Sequence, residues 1–277
     1  MLNIDLHSHS NHSDGVLSPA ELAARARSNE VDVWALTDHD EVKGVAEART
    51  LAAELGMRHV PGVEISISWA GVTVHILGLQ VDESHPVLLQ GLQRTRIGRE
   101  PRAREIGAQL ALAGIPGAFE GALKYAGNPD LVSRTHFARY LIELGVCKKV
   151  NDVFRDYLVE GKPGFVPHHW ATLTEAVGWI AAAGGVAVVA HPGRYKLSEL
   201  ALGAMFDEFK QLGGRAIEVV TGSHSAAQYQ SFASLANYYG FLASRGSDFH
   251  SPAESRIDIG KLPPLPDNVT PIWHDWF

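Results

Sequence analysis

Six short apolar runs in this chain each end in a side chain able to bind a metal ion, and that recurrence restricts the fold more than any other feature. The runs are "LNIDLHSH" (closing on His7 and His9), "VWALTDHD" (Asp38, His39, Asp40), "HVPGVEIS" (Glu64), "VTVHILG" (His75), "VAVVAHPGRY" (His191) and "FLASRGSDFH" (Asp248, His250). A single polar residue after a strand is only the start of a loop. Six in one domain point to strand ends gathered at a common rim, as in a parallel barrel whose site is built from the C-terminal ends of its strands. Residues two apart share a strand face, so the first run predicts Asp5, His7 and His9 inward, with Ile4 and Leu6 meeting the helices.

The spacing between these runs is that of an α/β protein. Over residues 1–80 strands alternate with helical stretches at 18–29 and 43–56, the first opened by Ser18-Pro19-Ala20-Glu21, an N-cap with a proline behind it and a capping-box glutamate. This βαβα rhythm implies a mostly parallel sheet. The stretch 64–79 alternates around a glycine and reads as a hairpin or two successive strands. Strands and helices resume from Thr172, with helices at 198–212 and 225–239. Between about 100 and 166 the pattern is helical throughout, which predicts a helical insertion; the expected domains are therefore 1–99, 100–166 and 167–277. The stretch 261–271 reads as an extended closing strap.

Composition limits the chemistry. With one cysteine, Cys147, there is no thiolate cluster for zinc and no intramolecular disulfide, so any metal takes nitrogen and oxygen ligands, of which fourteen histidines are a generous supply. A net charge of −7 argues against a protein that holds long duplex nucleic acid by counterion release, leaving small or short anions as ligands. No apolar run approaches the roughly 20 residues of a membrane span. A cytoplasmic protein without a membrane partner is expected; oligomeric state is not readable.

His7-Ser8-His9, Ser13-Asp14-Gly15, Thr37-Asp38-His39-Asp40, Gly62-Val63-Glu64, His75, Ala190-His191-Pro192 and Ser247-Asp248-Phe249-His250 together resemble the PHP (polymerase and histidinol phosphatase) family. The resemblance implies a distorted (β/α)7 barrel carrying the helical insertion, with two or three divalent metal ions and hydrolysis of phosphoesters. Carried over residue by residue, it implies that His7, His9, Glu64 and Asp248 hold one ion, that Glu64 bridges to a second held by His75 and His191, and that Asp14, His39 and His250 hold a third. Manganese is the expected ion, with iron, zinc and magnesium as alternatives. The segments 133–141, 160–168, 190–195 and 219–225 resemble the subgroup with the insertion, which implies removal of the 3′-phosphate from 3′,5′-nucleotide bisphosphates, water activated by the ions attacking phosphorus. The alternatives are a 5′→3′ exoribonuclease on short 5′-phosphorylated RNA, a histidinol-phosphate-type phosphatase or amidohydrolase on the same metals, and a non-catalytic module.

Substrate phosphate needs cations, and the guanidinium fork suits it. Arg134 and Arg194 are the expected substrate-binding residues, and His224 is the candidate catalytic acid for the leaving 3′-oxygen. Arg94, Arg96, Arg99, Arg102 and Arg104 read as a solvated helix face. His12, His59, His85, His168, His169 and His274 read as surface or loop histidines, while His136 fits either role. Asp5, Asp38 and Asp40 read as groups that orient histidines or the loop, the six tryptophans as packing and Cys147 as inert.

Overall fold

The computed structural model describes residues 2–276. Its order is β1 (Ile4–Asp5), α1 (Pro19–Ser28), β2 (Val33–Leu36), α2 (Val45–Glu54), β3 (Arg58–Trp69), β4 (Val72–Leu79), α3 (Pro86–Ile97), α4 (Arg99–Leu112), α5 (Ala118–Leu123), α6 (Arg134–Glu143), α7 (Val150–Val153), α8 (Leu173–Ala182), β5 (Val186–Val189), α9 (Glu199–Gln211), β6 (Ala216–Thr221), α10 (Ala226–Tyr239) and β7 (Leu242–Gly246). The α/β class and the capping box at Ser18 follow the sequence reading, and Thr172 caps α8 in the same way.

The seven strands pair in chain order. The chain just past β1 pairs with the chain at and after the end of β7, Leu6 N–H donating to Arg245 O at 3.0 Å and Asp248 N–H to His7 O at 2.9 Å, which brings the sheet round into a barrel. β3 and β4 form the expected hairpin, so β4 runs antiparallel to both neighbours while the other pairs are parallel. This one reversed strand is the distortion.

One apolar cluster, including Ile4, Leu6, Val33, Ala35, Val60, Leu77, Val188 and Ala216, is drawn from the strands, the residues next to them and C-terminal Ile272, with no helix residue. It is the barrel interior. A second cluster joins Trp34 and Leu36 to α1 and α2, and so lies outside. Asp5 is in register with Trp34, and Ile4 with Val33. The expectation that Asp5 points inward and Ile4 and Leu6 outward is therefore corrected: Ile4 and Leu6 are interior. The strand stops at Asp5, so its two-residue alternation does not carry on to His7. The Asp5 carboxylate instead accepts N–H bonds from Ser247 (2.8 Å) and Gly260 (2.7 Å), tying β1 to the C-terminal segment. That segment also bonds along β7, Ala243 N–H donating to Thr270 O at 2.8 Å, as a strap would.

Along the interior, the apolar side chains give way at one end to Glu64, Ser66, His75 and Glu218, which share their face with Leu77 or Ala216 by strand register. Apolar packing fills the lower barrel and the polar group sits above it. Helices α4 to α7 have their own core around Ile106, Phe119, Phe137, Leu141 and Val153, so this segment buries its apolar faces within itself. No helix among the described residues is long and apolar enough to cross a membrane.

Candidate metal centre

The segments after β1, β2, β5 and β7, and the middle of the β3–β4 ladder at Glu64 and His75, deliver the expected ligands under local constraint. His7 and His9 flank Ser8, whose hydroxyl donates to Ala35 O at 2.9 Å and accepts from Trp34 Nε1 at 2.9 Å. The turn to Asp14 is shaped by Asp38, which accepts from Ser10 N (2.8 Å), Ser10 Oγ (2.6 Å) and Ser13 Oγ (2.5 Å). Gly15 is required there: a Cβ would lie 2.2 Å from His9 O. Asp40, His191 and Asp248 all adopt positive φ, at 50°, 29° and 56°. Such backbone is costly for these residues and persists only where neighbours over-determine it. Here they do, with Asp40 N–H on Glu64 O at 2.8 Å and His191 N–H on Glu218 Oε2 at 2.6 Å.

The nine expected ligands converge. His7 Nε2 and His9 Nε2 lie 3.1 Å apart. Each faces Glu64 Oε2, at 3.4 and 3.2 Å, and Asp248 Oδ1, at 3.4 and 3.3 Å. Donor atoms arranged around a common ion with bonds of about 2.0–2.1 Å are separated by roughly 3.0–3.4 Å, the spacing found here. Glu64 turns its other oxygen, Oε1, to His75 Nδ1 at 2.9 Å and His191 Nε2 at 3.0 Å. Asp14 Oδ1 lies 3.2 Å from His250 Nε2 and 3.7 Å from His39 Nε2. Donor atoms of His9, Asp14, His39 and His250, of His7, His9, Glu64 and Asp248, and of His39, Glu64 and His75 form three sets, each within 4.8 Å.

The donor chemistry fits divalent ions. Glu64 Oε2, Asp14 Oδ1 and Asp248 Oδ1 are buried with no hydrogen-bond partner among the described residues, an arrangement costly for carboxylate oxygens that nothing else satisfies. Burial raises the Glu64 carboxyl, but His39, His75 and His7 outweigh it and hold it well below the usual range. Burial likewise opposes charge on His9, yet the Asp248 and Glu64 carboxylates facing it, at 3.3 and 3.2 Å, carry it up to about 9. The cluster calls for positive charge that protons supply and cations would replace. His191, pushed down to about 3 by burial and by Arg194, is a neutral imidazole, the form that ligates.

Several residues do other work than expected. His224 is buried away from the mouth, with Nε2 accepting from Gly193 N–H at 2.9 Å, Nδ1 on Val219 O at 3.1 Å and its ring stacked on Phe232. Both nitrogens are used by backbone, so its reading as the catalytic acid is corrected to a brace under the 192–194 turn. The solvated face expected for the arginine run holds only in part. Arg94 and Arg104 are exposed and pair with Glu175 and Glu100. Arg96, at the end of α3, and Arg99 and Arg102, three apart on one side of α4, turn inward. Arg96 donates to Asp40 O at 2.6 Å, Arg99 is buried on Asp40 and Ser66 Oγ, and Arg102 sits beside Trp170. Asp38 and Asp40 order the loop and Arg99 as far as their bonds show, and His136 caps α6 by accepting Ser133 N–H at 3.0 Å.

Glu218 escaped the sequence reading. Its Oε1 lies 3.0 Å from His7 Nδ1, which fixes the ring so that Nε2 faces the centre. A lone carboxylate inside the apolar strand "AIEVVT" was the available signal. The mouth, a cavity of about 120 Å³, is lined by Asp14, His39, His75 and His250 together with Arg99, Arg102, Arg134 and Arg194. Arg134 and Arg194 thus line the same cavity as four of the expected ligands.

The model of the PHP domain family matches residues 5–224. The chain is similar to a 3′,5′-nucleoside bisphosphate phosphatase of Chromobacterium violaceum, 49% identical over 99% of this chain and 96% of that one. It is similar to a 5′-3′ exoribonuclease of Haemophilus influenzae, 42% identical over 97% of each. Among solved structures, an amidohydrolase from Chromobacterium violaceum with bound sulfate superposes with a TM-score of 0.96 at 49% identity, covering 99% of this chain and 95% of that chain.

Proposed function

The chain belongs to the PHP domain family, and on that premise we propose that it is a metal-dependent phosphoesterase that removes the 3′-phosphate of 3′,5′-nucleotide bisphosphates. One observation carries the substrate choice. Arg102 and Arg134 lie half-buried at the mouth with no carboxylate partner among the described residues; each donates only to a backbone carbonyl, of Val166 (3.1 Å) and Leu158 (3.3 Å). Burial, with Arg134 and Arg99 nearby, lowers Arg102 to about 9. Uncompensated cations beside the metal ligands suit a second anion on the substrate, distinct from the phosphate being cleaved.

In this reading His7, His9, Glu64 and Asp248 hold one ion, Glu64, His75 and His191 a second, and Asp14, His39 and His250 a third. Manganese is the working ion, suited by nitrogen and oxygen donors without thiolate. When bound, such ions acidify water and neutralise charge on phosphate oxygens. The protein's own part is positioning. Arg102 and Arg134 hold the 5′-phosphate, Arg194 stays paired with Asp248 at 2.7 Å in the same mouth, and the helical segment 100–166 roofs the rim. Water adds across the 3′-ester, giving a nucleoside 5′-monophosphate and phosphate. A cytoplasmic location and a small-nucleotide substrate fit the acidic charge and single cysteine.

The test is phosphate release by the Mn²⁺-loaded protein from 3′,5′-bisphosphonucleotides, 3′-mononucleotides and histidinol phosphate. Preference for the bisphosphates is expected; equal turnover of 3′-mononucleotides would refute the second-anion argument. The exoribonuclease reading is favoured by a cleft of about 890 Å³ that continues from Arg102, Arg134 and Arg194 to Phe165 and Lys196, more room than one nucleotide needs. A nucleotide ladder from a 5′-phosphorylated RNA pentamer would support it, and an intact pentamer would count against it.

A further inference from the structure

The helical segment also reaches one of the carboxylates. Ser133, the N-cap of α6, donates its hydroxyl to Asp14 Oδ2 at 3.1 Å while accepting Thr135 N–H at 3.2 Å. Arg139, farther along the same helix and buried, donates to the Asp14 carbonyl at 2.8 Å and is itself fixed by two bonds to Glu254, at 2.8 and 2.7 Å. One Asp14 oxygen is thereby held, and the other, Oδ1, is buried beside His250 without a hydrogen-bond partner among the described residues. On the barrel side, Asp38 grips Ser10 and Ser13 but not Asp14. The direction of the Asp14 carboxylate is therefore set from the insertion.

We propose that Ser133 and Arg139 are positioning residues for the ion held by Asp14, His39 and His250, so that this ion depends on the docking of α6 while the other two do not. The inference rests on the reading of Asp14 as a ligand. Its physical basis is that a carboxylate with one oxygen tied presents the other in one direction, and loss of such outer partners weakens metal sites about 10–100-fold. Arg134 follows Ser133 in the chain, so one helix turn both aims the aspartate and carries a guanidinium to the mouth.

The experiment is Mn²⁺ binding to the purified full chain, by equilibrium dialysis against a competing chelator, for wild type, Asp14→Ala, Ser133→Ala, Ser133→Thr and Arg139→Ala, with a melting curve for each. Asp14→Ala should lose one ion. Ser133→Ala should weaken that same ion about 10–100-fold and leave the rest unchanged. Ser133→Thr, which keeps the hydroxyl, should bind as wild type, and Arg139→Ala should follow Ser133→Ala. Wild-type binding by Ser133→Ala, or equal weakening of every ion, would overturn the proposal even if Arg139→Ala fails to fold. Full metal content in Asp14→Ala would instead sink the ligand assignment and the proposal with it, a result distinguishable from an Asp14→Ala that loses an ion while Ser133→Ala does not.

Discussion

Replacing Glu218 by glutamine probes the site without removing an expected ligand. The carboxylate is fully buried and makes two contacts at once, Oε1 to His7 Nδ1 at 3.0 Å and Oε2 accepting His191 N–H at 2.6 Å. An amide keeps one oxygen, so whichever way it turns, either the His7 Nδ1–H or the His191 N–H meets an NH₂ group. The first outcome lets the His7 ring turn; the second disturbs a residue already at positive φ. Loss of an outer partner of a ligating histidine weakens metal binding about 10–100-fold, or about 1.4–2.7 kcal/mol. Ligand-derived stabilisation falls by the same amount at saturating metal, and for a chain of this size that is roughly 3–10 °C of the melting-temperature gain on adding Mn²⁺. The assay is the melting temperature of wild type and Glu218→Gln with chelator and with excess Mn²⁺. An unchanged gain in the variant would refute the claim that Glu218 aims His7 and His191.

Arg102→Ala and Arg134→Ala should each cost about 1.5–3 kcal/mol of charge-assisted bonding, or roughly 10–150-fold in kcat/KM for a 3′,5′-bisphosphonucleotide, with little effect on a 3′-mononucleotide; equal losses on both would refute the 5′-phosphate role. His224→Gln should keep kcat within about tenfold and leave the pH profile in place, since its ring serves backbone N–H and C=O groups; loss of one limb of the profile would restore it as an acid. His59 packs edge-on to Trp34, both ring nitrogens lack hydrogen-bond partners among the described residues, and burial, aided by Arg49, lowers it to about 3. The unfolded imidazole takes up its proton below about pH 6.5 while the folded one does not until about 3, so stability is lost as pH falls through that window, by about 1.4 kcal/mol per pH unit once the unfolded group is charged. His59→Phe should flatten the denaturation midpoint against pH between 6 and 4.5, and parallel slopes would show that His59 is not the group responsible.

What the sequence determined by itself was the architecture and the set of candidate ligands. Strand and helix periods, capping boxes and the hairpin around Gly71 are local patterns, and the polar ends of six apolar runs, such as "VVAH" and "GSDFH", stand out because strands otherwise carry few charges. Only the tertiary structure decided the facing of Asp5, because alternation fails where a two-residue strand ends. It also decided the burial of His224 and the inward turn of Arg99 and Arg102, since a helix face reads as solvated until another element is packed on it. The partners of the site, Glu218 on His7 and Ser133 and Arg139 on Asp14, are 211, 119 and 125 residues from what they hold. Such contacts leave no spacing in the chain, because hydrogen bonds act over about 3 Å of space and only closure of the barrel and docking of α6 bring those atoms within it.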